Sequence, residues 1–377
     1  MTILIFFIVL AVLILVHELG HFLVAKRAGV KVEEFGLGFP PRLWGVKWGE
    51  TLYSLNWIPF GGFVKILGEN AEEDNPESII PIEEKERSLS SRSRFIQALV
   101  LVAGVTFNIL LAWLILSFGL WVGLPTSRDG VPTGFELDQV RLVVTEVVKD
   151  SPASLVGMKG GETILYVKNS QEVLDKPSVT DLQKFVANNS NQKISLGYSK
   201  EFNDNIPVNP VEVELQPKLS SASGRAVIGV SLTEIGILKL PFFSAIIEGF
   251  KLTALVLWSI VLALGNLVSG IFQGQTAVLS SVTGPVGLIG VIGSSASMGF
   301  FYLLNLVAVI SLNLAVINLL PFPALDGGRV LFLAIEGLIK KPLSPKFVNF
   351  ANAFGFYLLI GLMLVLTYRD ILRLLVN

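Results

Sequence analysis

No cysteine occurs among the 377 residues, and only two histidines do. The first absence excludes disulfides, thiolate zinc sites, iron–sulfur clusters and a cysteine nucleophile. The second forces every histidine-dependent mechanism onto His17 and His21. Charge is scarce too: Asp, Glu, Lys and Arg make up 16% of the chain, against about a quarter in soluble domains. The net charge of −1 provides no field that would gather nucleic acid. With a mean hydropathy of +0.65, the chain reads as a membrane protein carrying some soluble mass.

The apolar residues are gathered in long runs. Thr2 to Ala25 would extend about 36 Å as a helix, enough for a hydrocarbon core of about 30 Å. It has no basic stretch before the apolar run, and Lys26 and Arg27 follow it, so an uncleaved span is expected rather than a signal peptide. Phe95 to Leu124 is a second uncharged run, Phe300 to Leu320 a third, ended by Pro321 and Pro323, and Phe347 to Tyr368 a fourth. Between the first two lies a polar loop, residues 26–94. In it, Thr51 to Leu67 reads as a hairpin or bent strands around Gly61-Gly62, with an apolar surface suited to lipid. Glu69 to Arg87 reads as an acidic, solvated linker. From about Val131 to Leu232 the composition turns soluble, with strand-like alternation at Val143–Val148. The basic residues of loop 26–94, with Arg329, Lys340, Lys341 and Lys346, place both of those loops in the cytoplasm and the soluble region outside. Arg369 and Arg373, after the last span, run mildly against that rule.

The two histidines are four apart, in His17-Glu18-Leu19-Gly20-His21. On a helix that spacing puts both imidazoles on one face, able to share a zinc ion. Glu18 lies beside them, placed to take a proton from zinc-activated water. Burying a carboxylate and two imidazoles in an apolar helix without a purpose is expensive. A catalytic zinc takes three protein ligands and keeps one position open. With histidine and cysteine exhausted, the third must be Asp or Glu. Asp326 is the leading candidate, after the break Asn318-Leu319-Leu320-Pro321-Phe322-Pro323-Ala324-Leu325; Glu336 is a weaker one. Prolines end the helix there and Gly327-Gly328 let the backbone turn. Non-helical backbone at membrane depth is tolerated where protein covers it or a watery cavity meets it.

For the histidines and Asp326 to meet at one depth, their apolar segments must run in the same direction, with an odd number of crossings between them. Phe95–Leu124 supplies one. Leu252–Phe272 is also uncharged and long enough, but its crossing would put Asp326 at the wrong face. Phe242–Phe272 is therefore expected to lie in, or dip into, the outer interface.

These residues resemble the site-2 protease family of intramembrane zinc metalloproteases, in particular the bacterial regulator-of-sigma-E protease type with one PDZ domain. Asn318 to Asp326 is similar to the family's second motif, whose Asp is the third ligand. Ile58 to Lys65 resembles its membrane-associated β-loop, and Ser281 to Gly287 the segment before its third core helix. Ala103-Gly104-Val105-Thr106-Phe107-Asn108 matches a second-helix pattern, with Val105 where many members carry Pro. Asp150-Ser151-Pro152-Ala153 and Gly157 to Ile164 follow a PDZ turn-and-strand signature, with Glu162 where Asp is more usual.

The resemblance implies four core transmembrane helices, an inserted extracytoplasmic PDZ-like α+β domain and a membrane-associated β-hairpin. The corresponding boundaries are residues 1–130, 131–235, 236–299 (interfacial and amphipathic) and 300–377. It implies a multi-pass protein of the bacterial inner membrane, with its active site nearer the cytoplasm. Zn2+ would be held by His17, His21 and Asp326, with Glu18 as general base. Gly61 and Gly62 would hold an extended substrate, and Asn318 would bind substrate backbone or stabilise the oxyanion. The implied partners are the lipid bilayer and single-pass membrane proteins already trimmed outside, such as anti-sigma factors, or signal-peptide remnants. The PDZ-like domain would contact substrate or partner peptides. Two readings compete: a non-catalytic PDZ receptor or scaffold with a structural metal, which would need a fourth ligand, and a zinc transporter, which would need ligands along a pathway.

Overall fold

The computed structural model describes residues 1–69, 82–203, 206–219, 224–275 and 282–376. Residues 70–81 of the acidic linker, and Ser281, lie outside them. The helices that matter are α1 (Thr2–Arg27), α2 (Arg94–Val122), α3 (Val179–Asn188), α4 (Phe242–Phe272), α5 (Pro285–Met298), α6 (Phe300–Leu319), α7 (Asp326–Ile339) and α8 (Pro345–Val376). Among the described residues, α1, α2, α4, α6 and α8 are long and apolar enough to cross a membrane. The protein is a multi-span membrane protein with a β-rich domain. Length and composition thus qualify α4 for a crossing, although neither imposes one on it. The chain divides into two compact units, Met1–Phe118 with Gly249–Asn377, and Gly119–Glu248.

In the first unit, α1 buries Phe6, Val9, Leu13, His17, Gly20, His21, Phe22 and Ala25. Phe6, Val9, Leu13, His17, His21 and Ala25 recur every three or four residues, so the protein-facing stripe of α1 runs from apolar side chains into the two histidines. Leu13 packs with Ile292 of α5 and Val307 of α6. At Gly20, a Cβ would lie 2.5 Å from the Ala103 carbonyl oxygen. Only glycine lets α1 and α2 touch backbone to backbone there, the usual device of helix pairs in lipid. The 14-residue α5 is capped by Asp370 of α8, which accepts from the N–H groups of Gly284 (3.3 Å) and Gly287 (2.8 Å). α4 begins against α2, with the Phe250 ring edge-on to Trp113 at 6.1 Å.

Strands β1 (Val32–Trp48) and β2 (Thr51–Ile66) form an antiparallel pair. The chain reverses at Gly49-Glu50, where Gly49 has φ +62°. Of the two readings of Thr51 to Leu67, a hairpin around Gly61-Gly62 is thereby corrected, whereas a bent strand describes it: both glycines sit inside β2, with Gly61 at φ +103°. Both strands curl, so that the start of β1 pairs with both halves of β2: Phe35 is opposite Tyr53 and also opposite Val64. Gly62–Ile66 is left as an edge. The far half of β1 is exposed, with Trp44 at 62% and Trp48 at 78%, an apolar face of the kind that lies against lipid.

The second unit contains β3 (Leu124–Ser127), β4 (Asp138–Val147), β5 (Thr163–Lys168), β6 (Val173–Asp175), β7 (Ile194–Ser199), β8 (Val211–Leu215) and β9 (Val230–Leu238). They form one antiparallel sheet in the order β8-β7-β5-β4-β9-β3, with β6 also on β5. The unit starts before residue 131 because β3 completes the edge beside Ile235–Leu238. α3 covers the sheet with Leu182, Phe185 and Val186 against Leu142, Val144, Ile164 and Leu196. A capping box of Ser178 and Asp181 starts α3.

Glu234 of β9 is buried and accepts from the Arg128 guanidinium and, at 3.1 Å, from the Val179 N–H in the first turn of α3. The guanidinium foremost, then the amide, hold this carboxyl below the usual carboxylate range against the opposing effect of burial. A depressed pKa contributes stability above the unfolded value of about 4.3 and loses it as pH falls toward the folded value. Arg128 is largely exposed, which weakens the pair. Glu234→Gln should therefore speed amide exchange across residues 178–182 at pH 7, corresponding to about 1 kcal/mol of local stability. The difference should shrink below about pH 4. Equal exchange in the two proteins at pH 7 would mean that solvent screens the pair completely.

Candidate metal centre

The buried stripe of α1 places His17 and His21 one turn apart, both 8% exposed. The third member arrives from a distant part of the chain. After Leu319 the helix stops, and the chain turns through Leu320–Leu325 with Ala324 in the left-handed region at φ +72°. An alanine there is strained, as backbone at functional sites often is. The turn delivers Asp326 as the first residue of α7. Gly327 and Gly328 are required by crowding: a Cβ would lie 2.3 Å from the Leu319 carbonyl oxygen at the first and 2.2 Å from that of Phe322 at the second. Ala324 N–H donates to Asn352 of α8 at 3.1 Å, pinning the turn.

Three donor atoms converge. His17 Nε2 lies 3.0 Å from Asp326 Oδ2, His21 Nε2 3.5 Å from the same oxygen, and the two Nε2 atoms are 3.2 Å apart. A tetrahedral zinc with ligands at about 2.0–2.1 Å has ligand–ligand edges of about 3.3 Å. The triangle fits that ion. Among the described residues this trio is the cluster able to hold a metal. The donor set of two imidazoles and one carboxylate is that of catalytic zinc, with a fourth position open. His21 Nδ1 donates to the Val100 carbonyl oxygen at 2.8 Å, leaving Nε2 unprotonated toward the metal position.

Two clefts meet at the trio. One, of about 470 Å3, is lined by Glu18, His21, Phe63, Val64, Asp326 and Arg329. The other, of about 230 Å3, is lined by Leu13, His17, Glu18, Asn108, Asn318 and Asp326. Glu18 reaches both. Gly62 of β2 backs onto the same helix, since a Cβ there would be 3.5 Å from Glu18 Cγ. Gly61 does not face the site: with φ +103°, it abuts the Phe39 ring. The Asn318 amide nitrogen is 3.5 Å from His17 Nε2. Glu336 lies ten residues along α7 and accepts from the Leu343 N–H at 2.8 Å, closing the loop that follows that helix. Arg329 forms an ion pair with Glu69 at the rim of the larger cleft.

The profile of Peptidase family M50 matches residues 5–362. This chain belongs to that family. A Clostridium perfringens protein provisionally named a zinc metalloprotease is 36% identical over 371 residues, covering 96% of this chain and 95% of the relative. The "Regulator of sigma-W protease RasP" of Bacillus subtilis is 28% identical, over 99% of each chain. The "Zinc metalloprotease RasP" of Geobacillus kaustophilus is 26% identical, over 97% of this chain and 96% of the relative. The protein is a zinc metalloendopeptidase of the site-2 protease family, which sets aside the receptor and transporter readings.

Sequence reasoning included Asn108 in the second-helix pattern and gave it no role at the site. It is fully buried on α2 with its amide nitrogen 3.3 Å from His17 Nδ1. The available signal was a polar side chain in the middle of an uncharged span. If Asp326 is the third ligand, Asp326→Ala should release zinc from the purified protein, while Glu336→Gln should retain one zinc per chain by metal analysis. The reverse pattern would move the ligand to Glu336.

Proposed function

We propose that this metalloprotease hydrolyses transmembrane segments of single-pass membrane proteins, with zinc on His17, His21 and Asp326. The observation that carries the proposal is the position of the trio: two donors on the buried stripe of an apolar helix and one at the break following another. Amides of a membrane helix are hydrogen-bonded and dry, so a substrate must unwind before it can be cut. The strand segment Gly62–Ile66 of β2, of which Phe63–Ile66 line the larger cleft with Glu18, is where an extended segment would lie. Zinc, when bound, acts as a Lewis acid and makes water acidic enough to ionise near neutral pH. Glu18 accepts the water proton and delivers it to the leaving amine. Asn318, at the second cleft, binds substrate backbone or the developing oxyanion. Glu18→Gln should therefore retain zinc and abolish cleavage of a membrane-helix substrate; turnover at the wild-type rate would overturn the mechanism.

The positive charge of loops 26–94 and 329–346 favours a metal centre toward the cytoplasmic face, with residues 131–235 outside. α4 then makes no net crossing. In support, Gly284 and Gly287 are held by Asp370 at the far end of α8, and Gly293 meets Thr2 at the outer start of α1. The chain is thus back at the outer ends of the helices before α6 begins. The name of the Bacillus subtilis relative favours membrane-anchored regulators of sigma factors as substrates. The outer domain, whose sequence follows a PDZ signature, acts as a size filter that rejects substrates still carrying bulky external domains. Removing residues 131–232 should permit cleavage of an untrimmed substrate. Intact substrates left uncut, with trimmed ones cut as before, would exclude the filter.

A further inference from the structure

We propose that Asn108 is a positioning residue for the metal centre: its side-chain oxygen takes the Nδ1 proton of His17 and so fixes the ring with Nε2 bare toward the zinc. The inference rests on the zinc site described above and adds to it a group on a third helix.

A neutral imidazole has one N–H and one lone pair. If Nε2 coordinates, the proton must sit on Nδ1, and a buried Nδ1–H needs an acceptor. His21 has one in the Val100 carbonyl oxygen, 2.8 Å away. For His17, the polar group at Nδ1 is the Asn108 amide, at 3.3 Å. Asn108 is 0% exposed, and its Oδ1 is buried without any hydrogen-bond partner. With the amide nitrogen facing the ring, Asn108 would donate to Nδ1. The ring proton would then lie on Nε2, pointing at the metal position and blocking coordination. A half-turn of the amide about its terminal torsion exchanges nitrogen and oxygen. The orphaned Oδ1 then receives Nδ1–H, and Nε2 presents its lone pair beside Asp326. One rotation pairs a buried acceptor and selects the coordinating tautomer, with the amide NH2 turned to the side that the oxygen had faced.

The surroundings hold Asn108 in place for this. Its backbone carbonyl accepts from Ser311 Oγ of α6 at 2.8 Å, and Ser311 is also fully buried. Val100, Gly104 and Asn108 recur every four residues and form one stripe of α2. The first takes the proton of His21 and the third that of His17. The middle one leaves room: a Cβ on Gly104 would stand 2.4 Å from His21 Nε2 and 2.7 Å from His17 Nε2.

The test uses the full-length protein in detergent, with zinc affinity measured by competition against a chelator. Asn108→Leu, similar in size but unable to accept, should weaken zinc binding by roughly 10–100-fold. Asn108→Asp, whose carboxylate accepts the same proton, should stay within a few-fold of wild type. Thermal unfolding of the zinc-free proteins should be alike, which a merely structural role for Asn108 would not give. With 15N-labelled histidine only two rings contribute signals, so the tautomer is read directly. Zinc-loaded wild type should show Nδ1–H on both rings. Wild-type affinity in Asn108→Leu, equal losses in the Asp and Leu variants, or an Nε2–H signal from His17 in the zinc-loaded wild type would each overturn the proposal. The last readout needs no variant, so it stands even where Leu at this position prevents folding. A wild-type protein that binds no zinc would instead remove the metal assignment, and this inference with it.

Discussion

Two imidazoles and a carboxylate meet in the apolar interior of a helical bundle, and the fold around them is organised to let them do so. Each of these groups would be costly in lipid on its own. Gathered with donor atoms 3.0–3.5 Å apart, they are spaced to share one cation. Three features serve that meeting. The missing Cβ at Gly20 brings α2 against α1. The proline break and the two crowded glycines bring Asp326 back to the same depth. The anchored turn at Ala324 keeps it there.

The same arrangement opens the trio to a peptide from two sides. Glu18 and Asp326 border both clefts, so these two carboxyl groups lie where the cavities join. Alongside runs a strand edge, the one kind of backbone surface that can hold another chain extended without help from its side chains.

Several elements show how far the residues alone lead. The long apolar helices were legible because long uncharged runs have few other uses, and their ends fell within two residues of the observed ones, except that α8 continues from Tyr368 to Val376. The hairpin was placed less well. Gly61-Gly62 is the more obvious turn signal, yet the chain reverses at Gly49-Glu50. Curling of the pair, which only cross-strand packing determines, turns the double glycine into a bend and makes Gly62–Ile66 an edge. Of the two glycines, Gly62 faces the catalytic helix and Gly61 packs on Phe39. Glu336 and Asp326 were both open as ligands on composition. A hydrogen bond to the Leu343 N–H gives Glu336 a structural use elsewhere.

What the sequence determined by itself was the chemistry: with no cysteine and only two histidines, spaced four apart in an apolar helix, zinc on His17 and His21 with Glu18 beside them was the reading left standing. Helical periodicity is local, so i and i+4 share a face whatever the rest of the chain does. The tertiary structure decided everything that depends on contact between distant segments. It brought Asp326 across more than three hundred residues, set β2 along the cleft, and placed Asn108 of α2 against His17. Those relations follow from which helices pack together and how closely. Packing is set by the fit of side chains and missing Cβ atoms across the whole bundle, which no local pattern encodes.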